Sequence, residues 1–169
     1  MINHPILPVC DKNSKILILG SFPSVKSREQ MFFYGHPQNR FWKVVSAVFG
    51  CETPQTTAQK RVFLISNKIA LWDVIASCDI SGSSDSSIKN VVPNNIDIIL
   101  KTADIKGIFV NGKTAFKFYN KYIRDSVKRE AVVLPSTSPA NAVMNVEKLI
   151  IEWSILKEYV TDTHRNSFR

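Results

Sequence analysis

The sequence lacks most of the motifs that cofactor-binding and disulfide-bonded proteins need. Among its 169 residues are only 3 cysteines, widely spaced and without a Cys-x-x-Cys pair. This spacing argues against a disulfide framework, a four-cysteine zinc site and an iron-sulfur cluster. Neither Gly-x-Gly-x-x-Gly nor a Walker sequence occurs, so a dinucleotide or nucleoside triphosphate fold has no motif support.

Membrane and secretion signals are missing as well. No apolar run reaches the ~20 residues that span a bilayer, and the first residues lack a basic stretch followed by an apolar one. We therefore expect a soluble, cytoplasmic protein with reduced cysteines. Acidic residues are scarce, with 14 Asp and Glu against 22 Lys and Arg and a net charge of +8. Such a chain suits a polyanion such as nucleic acid, although many basic proteins bind none.

Apolar residues occur both as continuous runs and as helical repeats. Ile16 to Leu19 is a run stopped by Gly20, as expected of a strand buried on both faces. Similar runs predict strands at 69–74, 105–110 and 131–134. Helices are predicted at 39–50, 58–68, 94–102 and 116–123, and a long C-terminal helix precedes a frayed basic tail, THRNSFR. This alternation indicates one α/β domain across 1–169, with three α/β/α layers around a central four-stranded, mainly parallel sheet.

The most unusual segment is the 34–42 stretch, YGHPQNRFW. It combines three polar side chains, one cation and three aromatics around a single proline. Buried amides and imidazoles cost about 1 to 3 kcal/mol when they lack a partner, so the cluster must either satisfy itself or face a ligand. Asn39 lies at or near the start of the helix predicted from 39, where asparagine is a good cap and free N–H groups attract anions.

Polar turns follow three of the predicted strands, at 20–24, 111–113 and 135–141. Open α/β sheets place ligands at the carboxyl ends of their strands, so these turns and the 34–42 stretch should form one site. No His, Cys or carboxylate cluster has metal-ligand spacing, and Gly-x-Ser-x-Gly is absent, so we predict neither a metal nor a Ser-His-Asp triad. Residues 79–87 are rich in serine, and we call them the serine segment. They are predicted to form an exposed loop, which is equally consistent with a linker and with a binding element.

Three segments carry a family resemblance. The first strand with its Gly-Ser-Phe-Pro turn, HPQNRFWKV at 36–44 and LPSTSPAN at 134–141 resemble the uracil-DNA glycosylase superfamily, in order along the chain. HPxNRFWKV is shared with mismatch-specific uracil and thymine glycosylases and with hypoxanthine-DNA glycosylases. With LWDVIASC at 71–78, the chain looks most similar to the hypoxanthine-DNA (deoxyinosine) glycosylases. The resemblance implies a monomeric, monofunctional enzyme of base excision repair. It needs no metal or cofactor, and it hydrolyses the N-glycosidic bond of a deaminated base in DNA.

Two departures from the superfamily pattern shift the expected chemistry. The mismatch-specific enzymes carry a catalytic asparagine after the first strand, where this chain has Phe22. A phenyl ring cannot orient water, but it can stack on an extruded base, a contact worth about 1 to 3 kcal/mol. Leu134 stands where other uracil glycosylases have a histidine that stabilises the departing base. Both departures weaken the uracil interpretation, and the resemblance implies that Asn39 supplies the essential amide. It could orient the water through its oxygen or pair with the N1–H and O6 edge of hypoxanthine.

The remaining roles follow from the same segments. The predicted base pocket comprises Gly20, Ser21, Phe22, Pro23, Ser24, Tyr34 and His36. DNA contacts, with a wedge at 137–140 to fill the gap left by an extruded nucleotide, are predicted from Arg40, Lys113, Ser136, Thr137, Ser138, Pro139, Ala140 and Asn141. Simpler roles compete for several side chains: backbone bonding for His36, and packing for Phe41, Trp42, Trp72 and Asp73. Xanthine, uracil or thymine is the alternative target. A glycosylase-like DNA-binding module without turnover is the alternative of a different class.

Overall fold

The apolar runs form the strands of a parallel sheet. The computed structural model describes residues 1–166, and 167–169, the end of the predicted tail, lie outside the described residues. The strands of this part of the chain are β1 (Ile2–Asn3), β2 (Ile16–Gly20), β3 (Ile69–Asp73), β4 (Ile75–Asp79), β5 (Lys89–Pro93), β6 (Gly107–Asn111) and β7 (Val132–Leu134). Four of them pair in parallel in the order β3-β2-β6-β7. The predicted four-stranded parallel sheet is therefore confirmed.

A second sheet was not predicted. It is antiparallel, with three strands in the order β1-β4-β5. β1 has only 2 residues and β5 is largely exposed, so neither shows the apolar run that marks a buried strand. Val74 alone separates β3 from β4. The chain thus passes from one sheet to the other immediately beyond Asp73.

The helices are α1 (Val25–Gln30), α2 (Phe41–Val48), α3 (Thr57–Ser66), α4 (Asp97–Thr102), α5 (Lys113–Tyr122), α6 (Arg124–Val127), α7 (Val146–Trp153) and α8 (Ile155–Asn166). Three differences from the sequence prediction are informative. α1 was missed because VKSREQ has no apolar repeat. The helix predicted from 94 begins later, since the N-cap of α4 is Ile96 and the Asn94 amide bonds the carbonyls of Asp73 and Ile75. The long C-terminal helix is interrupted at Ser154, and its second part continues to Asn166, into the tail predicted to be frayed.

Packing of α2 against α7 positions the 34–42 stretch. Phe41, at the start of α2, is fully buried and meets the Trp153 ring of α7 edge-on, with centroids 5.9 Å apart. The Trp153 indole N–H donates to the carbonyl of Pro135 at 2.9 Å. The C-terminal helix therefore connects the 34–42 stretch to the turn after β7. Within residues 1–166, no helix combines the length and apolar character needed to cross a membrane.

Candidate active site

The carboxyl edge of the parallel sheet opens into a cavity of about 450 Å³. Its walls come from the ends of β2, β3 and β6, the 34–42 stretch, the turn after β7 and the serine segment. The cavity is lined by every residue predicted for the base pocket, namely Gly20, Ser21, Phe22, Pro23, Ser24, Tyr34 and His36, and also by Asn39. The turns that were expected to meet at one edge of the sheet therefore do so.

Asn39 is held by its amide oxygen. Its Oδ1 accepts hydrogen bonds from the backbone N–H of Phe41 and from the hydroxyl of Thr137, both at 2.9 Å. A backbone N–H can only donate, so the atom facing it is the oxygen and the orientation of the amide is fixed. Both lone pairs of that oxygen are occupied. The NH₂ group has no hydrogen-bond partner among the described residues, and Asn39 lines the cavity.

A hydrogen-bonded network supports Asn39. Thr137 is fully buried at 0% exposure, and its hydroxyl accepts from Nδ2 of Asn111 at 3.0 Å. Asn111, the last residue of β6, also accepts from the Thr137 N–H at 3.0 Å and donates to the Tyr34 hydroxyl at 3.1 Å. A satisfied buried network of this kind restricts its members to one arrangement. Asn111 belongs to the 111–113 turn that was predicted to join the site, but no role was predicted for its side chain.

Tyr34 presents a hydroxyl proton to the cavity. Its ring stacks on Phe41 with centroids 4.1 Å apart and planes inclined by 13°. Its backbone φ of 52° is unusual for a non-glycine residue, so the surrounding contacts must hold it there. Burial raises the pKa of Tyr34 well above its usual value, and the Asp73 carboxylate raises it further. The hydroxyl oxygen accepts from Asn111, while its proton has no acceptor among the described residues.

Asp73 contributes a buried carboxylate to the same wall. Its Oδ2 accepts from Nε2 of His4 at 2.7 Å, and Nδ1 of His4 accepts the backbone N–H of Ile6 at 3.2 Å. With Nδ1 acting as an acceptor, the histidine carries its proton on Nε2 and is neutral. Oδ1 of Asp73 has no partner among the described residues, and Asp73 lines the cavity. The packing role expected for Asp73 is thus only part of its role.

Gly20 allows the Tyr34 hydroxyl and the Asp73 carboxylate to lie close to each other. It pairs with Asp73 in the sheet register. A Cβ atom on Gly20 would lie 2.4 Å from Oδ1 of Asp73 and 2.9 Å from the Tyr34 hydroxyl. No side chain fits there without displacing one of them. The cavity floor therefore carries an O–H donor and a carboxylate acceptor around one glycine.

Arg40 and Thr137 do not have the places expected of DNA-contacting residues. The Arg40 guanidinium donates to four backbone carbonyls of the turn after β7, those of Thr137, Ser138, Asn141 and Met144. Most of its N–H groups are thereby used to hold the turn, which leaves little capacity for a phosphate. Because Thr137 is fully buried, it cannot insert into DNA. The predictions of a phosphate ligand at 40 and a wedge residue at 137 are corrected accordingly.

The exposed part of this turn lies beyond Thr137. Pro139 and Ala140 are exposed at the cavity rim, and Val143 is 81% exposed. Ser136 and Ser138 also line the cavity, whereas Asn141 and Lys113 do not. Lys113 is the exposed first residue of α5. Pro139, Ala140 and Val143 are thus exposed on a turn whose backbone is held by hydrogen bonds from Arg40.

The serine segment forms part of the cavity wall and is not a plain linker. Residues 83–86 line the cavity. The backbone N–H of Val25 donates to the Ser83 hydroxyl at 2.9 Å, and the Arg28 guanidinium donates to the Gly82 carbonyl at 2.7 Å. Both bonds attach the segment to α1. The sequence left its role open because short polar residues form exposed loops whether or not a ligand is nearby.

Asp85 is the one carboxylate that this segment brings to the cavity. Its Oδ1 accepts from the hydroxyl of Ser21, the residue after β2, at 3.3 Å. Partial burial raises the pKa of Asp85, and Asp73 raises it further, while hydrogen bonds from Ser21 and Thr114 oppose the rise. The residue itself stays accessible to solvent at the rim.

The remaining aromatic residues have mostly structural partners. Phe22 lines the cavity with the Arg28 guanidinium 5.6 Å from its ring centroid and His4 edge-on at 5.9 Å. Nδ1 of His36 accepts the Gln38 N–H at 3.1 Å, the backbone bonding considered for it. Trp42 and Trp72 are buried and donate to backbone carbonyls. In residues 1–166, no group of three or more His, Cys, Asp or Glu side chains is arranged to hold a metal ion.

Comparison with known proteins gives consistent matches over most of the chain. A family model described as "Uracil DNA glycosylase superfamily" matches residues 7–158. A "Hypoxanthine DNA glycosylase" of Methanosarcina barkeri is 35% identical over 136 residues, covering 79% of this chain and 85% of that protein. A protein of the same description from Methanosarcina acetivorans is 34% identical over 143 residues, covering 83% and 89%. The solution structure of a candidate uracil DNA glycosylase from Methanosarcina acetivorans superposes with a TM-score of 0.77 at 31% identity, covering 93% of this chain and 99% of that one.

Proposed function

The chain belongs to the uracil DNA glycosylase superfamily, and we propose that it removes hypoxanthine, the product of adenine deamination, from DNA. The resemblance that was drawn from the sequence motifs is thereby confirmed, and the chain is a DNA glycosylase. The substrate base, the residue roles and the monomeric state go beyond the family assignment. The substrate base and the residue roles are supported by the cavity floor, by the free NH₂ group of Asn39 and by the names of the two Methanosarcina relatives.

The donor and acceptor on the cavity floor are the observation that carries the proposal. Hypoxanthine presents an N1–H donor beside an O6 acceptor. The Tyr34 hydroxyl can donate to O6 while Oδ1 of Asp73 accepts N1–H. Adenine has the reverse pattern, an N1 acceptor beside an amino donor, and would leave both protein groups without partners. Sites built to hydrogen-bond a substrate reject analogues that leave buried groups unpaired. Uracil, xanthine and guanine carry a similar lactam edge, so this edge distinguishes hypoxanthine from adenine but not from these three bases.

Asn39 acts on the base and does not orient the water. Its oxygen is occupied by Phe41 and Thr137, so the group available to a ligand is the NH₂ donor. Departure of the base leaves negative charge on its ring atoms. A donor held rigidly toward that charge stabilises the transition state more than the ground state. Phe22 contributes a stacking surface for the extruded base.

Extrusion of the nucleotide is assigned to the turn after β7. Taking a base out of the stack costs a few kcal/mol, least for a mispaired base, and a small apolar group can fill the gap. Pro139 and Ala140 are the exposed residues that fit this role. Phosphate contacts are assigned to Ser136 and Ser138 at the cavity and to Asn141 and Lys113, which do not line it.

Gel cleavage of alkali-treated duplexes tests the proposal. Duplexes with a single inosine, uracil, xanthine or adenine should show cleavage at inosine with the highest rate and none at adenine. Faster cleavage at uracil would assign the chain to the uracil-excising enzymes of the superfamily. DNA binding that weakens with salt, without cleavage of any duplex, would instead identify a binding module without turnover.

A further inference from the structure

We propose that Asp85 is the carboxylate that activates the attacking water, reaching the site from the serine segment and not from the turn after β2. This inference rests on the proposed glycosylase function. It adds a catalytic residue from a segment that has no motif and that was predicted from sequence as an exposed loop.

Hydrolysis of the glycosidic bond requires an acceptor for a proton of water, and the expected positions do not provide one. Phe22 occupies the place where the mismatch-specific relatives carry their asparagine. Oδ1 of Asn39 has both lone pairs occupied. Leu134 offers no polar atom. The acceptor must come from another residue that lines the cavity.

Two carboxylates line the cavity, at different depths. Asp73 is 3% exposed and belongs to the floor with Gly20 and Tyr34. Asp85 is exposed at the rim. A nucleotide that inserts its base toward the floor keeps its sugar near the rim, because the phosphates stay outside. Of the two carboxylates, Asp85 is therefore the one that lies on the sugar side.

The contact with Ser21 gives Asp85 a defined position. Oδ1 of Asp85 accepts from the Ser21 hydroxyl at 3.3 Å. Ser21 precedes Phe22 in the chain, so the carboxylate lies beside the turn from which the catalytic asparagine is missing. Thr114 offers the carboxylate a second hydrogen bond, and the residue stays exposed at the rim. A carboxylate at this point can replace the missing group without any change in the course of β2.

Internal hydrogen bonds keep the serine segment ordered. Residues Asp85–Ser87 form one 3₁₀ turn. The Ser87 hydroxyl accepts from the Ser81 N–H at 2.8 Å and donates to the Ser84 carbonyl at 2.6 Å. With the bonds from Val25 and Arg28, these contacts hold the segment against α1. A catalytic carboxylate needs such a support, because small displacements of a reacting group reduce rates strongly.

In the proposed step, the carboxylate of Asp85 accepts a proton from water as the water oxygen bonds to C1′ of the sugar. The C1′–N9 bond breaks, and its electron pair leaves with hypoxanthine. The proton is then returned to the departed base through solvent, so the products are hypoxanthine and an abasic sugar with a C1′ hydroxyl. The negative charge also favours the oxocarbenium-like sugar of the transition state.

Only the ionised carboxylate can act as a base, which predicts the direction of the pH dependence. Because burial and Asp73 raise the pKa of Asp85, the excision rate should begin to fall at a higher pH than an ordinary aspartate would produce. The other titratable groups near Asp85 are Asp73, Tyr34 and Cys78. Tyr34 and Cys78 have a raised pKa and stay neutral as the pH falls. Asp85→Asn should remove this acid limb of the profile.

Single-turnover excision from an inosine duplex tests the assignment. Asp85→Asn should lower the rate by about 10²-fold or more with DNA affinity unchanged. Asp125→Asn is the control, because it makes the same change at an exposed residue of α6 that does not line the cavity. Asp85→Ala should recover part of its activity with added formate but not with equal chloride, whereas a structural role would show no such rescue.

The outcomes separate this inference from the proposed function. Wild-type cleavage at inosine together with an Asp85→Asn rate within about threefold of wild type would overturn the role of Asp85 and leave the proposed function intact. Loss of folded protein in Asp85→Asn, with a formate-insensitive Asp85→Ala, would also overturn it. If the wild-type chain cleaves no duplex, the proposed function fails and the inference fails with it.

Discussion

The 34–42 stretch and the serine segment face the same cavity, but they use their polar groups in opposite ways. In the 34–42 stretch most polar groups already have hydrogen-bond partners within the protein. Arg40 donates to four backbone carbonyls, and Oδ1 of Asn39 accepts from two donors. The serine segment bonds its serines to itself and to α1, and leaves Asp85 at the rim. A motif that stands out in a sequence can therefore consist mainly of structural support, and a plain segment can carry a reactive group.

The largest effect should come from Asn39, the residue of the 34–42 stretch with a free donor. Asn39→Ala should lower single-turnover excision by about 10³-fold, the loss typical of one preorganised donor to a developing anion. Asn39→Asp keeps an acceptor for Phe41 and Thr137 but loses the NH₂ group, so it should be about as inactive while remaining well folded. Gln38→Ala, at the exposed neighbouring position, is the control.

The result for Asn39→Asp decides between the two roles that the sequence left open. An active aspartate variant would show that an oxygen, and not the NH₂ group, performs the chemistry. Loss of soluble folded protein in Asn39→Ala alone would show that capping of α2 is the main role of this side chain.

Arg40 should give the next largest effect, on stability and not on DNA affinity. Arg40→Ala removes the donors of four carbonyls, some of which would lose their hydrogen bonds, so the free energy of unfolding should fall by about 3 kcal/mol. Thermal melting measures this change. The slope of log affinity against log salt should remain as in wild type, whereas a phosphate ligand would lower the slope by about one. Lys43→Ala, an exposed cation on the neighbouring helix α2, is the matched control.

The fold and the site were predictable to different degrees. The central strands could be placed because each is a continuous buried run, and β1 and β5 could not because one is short and the other exposed. Asn39 and the base-pocket residues followed from motifs and strand ends. Asp73 and Asp85 did not, because hydrogen bonds over 64 to 69 residues of chain define their positions. The identity of one polar residue in a sequence does not indicate which distant residue it will bond.

Asp73 lies outside both the 34–42 stretch and the serine segment. Its substitution tests whether the cavity floor recognises the base by hydrogen bonds. In Asp73→Asn the amide oxygen must face the His4 Nε2–H, which can only donate, so the NH₂ group would point into the cavity. The acceptor for N1–H becomes a donor. Excision of hypoxanthine should fall by about 10- to 100-fold, corresponding to about 1 to 3 kcal/mol, and discrimination against adenine should weaken.

The measurement is the ratio of excision rates from inosine and adenine duplexes at equal enzyme concentration. Asp97→Asn, in an exposed pair with Lys101 on α4, provides the same change away from the cavity and should leave the ratio unchanged. An Asp73→Asn ratio equal to wild type, in a variant that melts normally, would show that the carboxylate does not read the base.

The smallest effect tests whether the serine segment positions Asp85 or merely lies near it. Ser83→Ala removes the acceptor of the Val25 N–H, one of the two bonds to α1, while Asp85 itself is unchanged. One exposed hydrogen bond contributes about 1 kcal/mol, so the fold should persist with faster amide exchange confined to 79–87. Excision should slow by about threefold to tenfold as the carboxylate is held less well. Ser81→Ala, whose hydroxyl makes no bond among the described residues, should change neither quantity. Faster exchange with an unaltered rate would mean that the attachment to α1 contributes nothing to catalysis, and that the contacts with Ser21 and Thr114 are sufficient to hold Asp85.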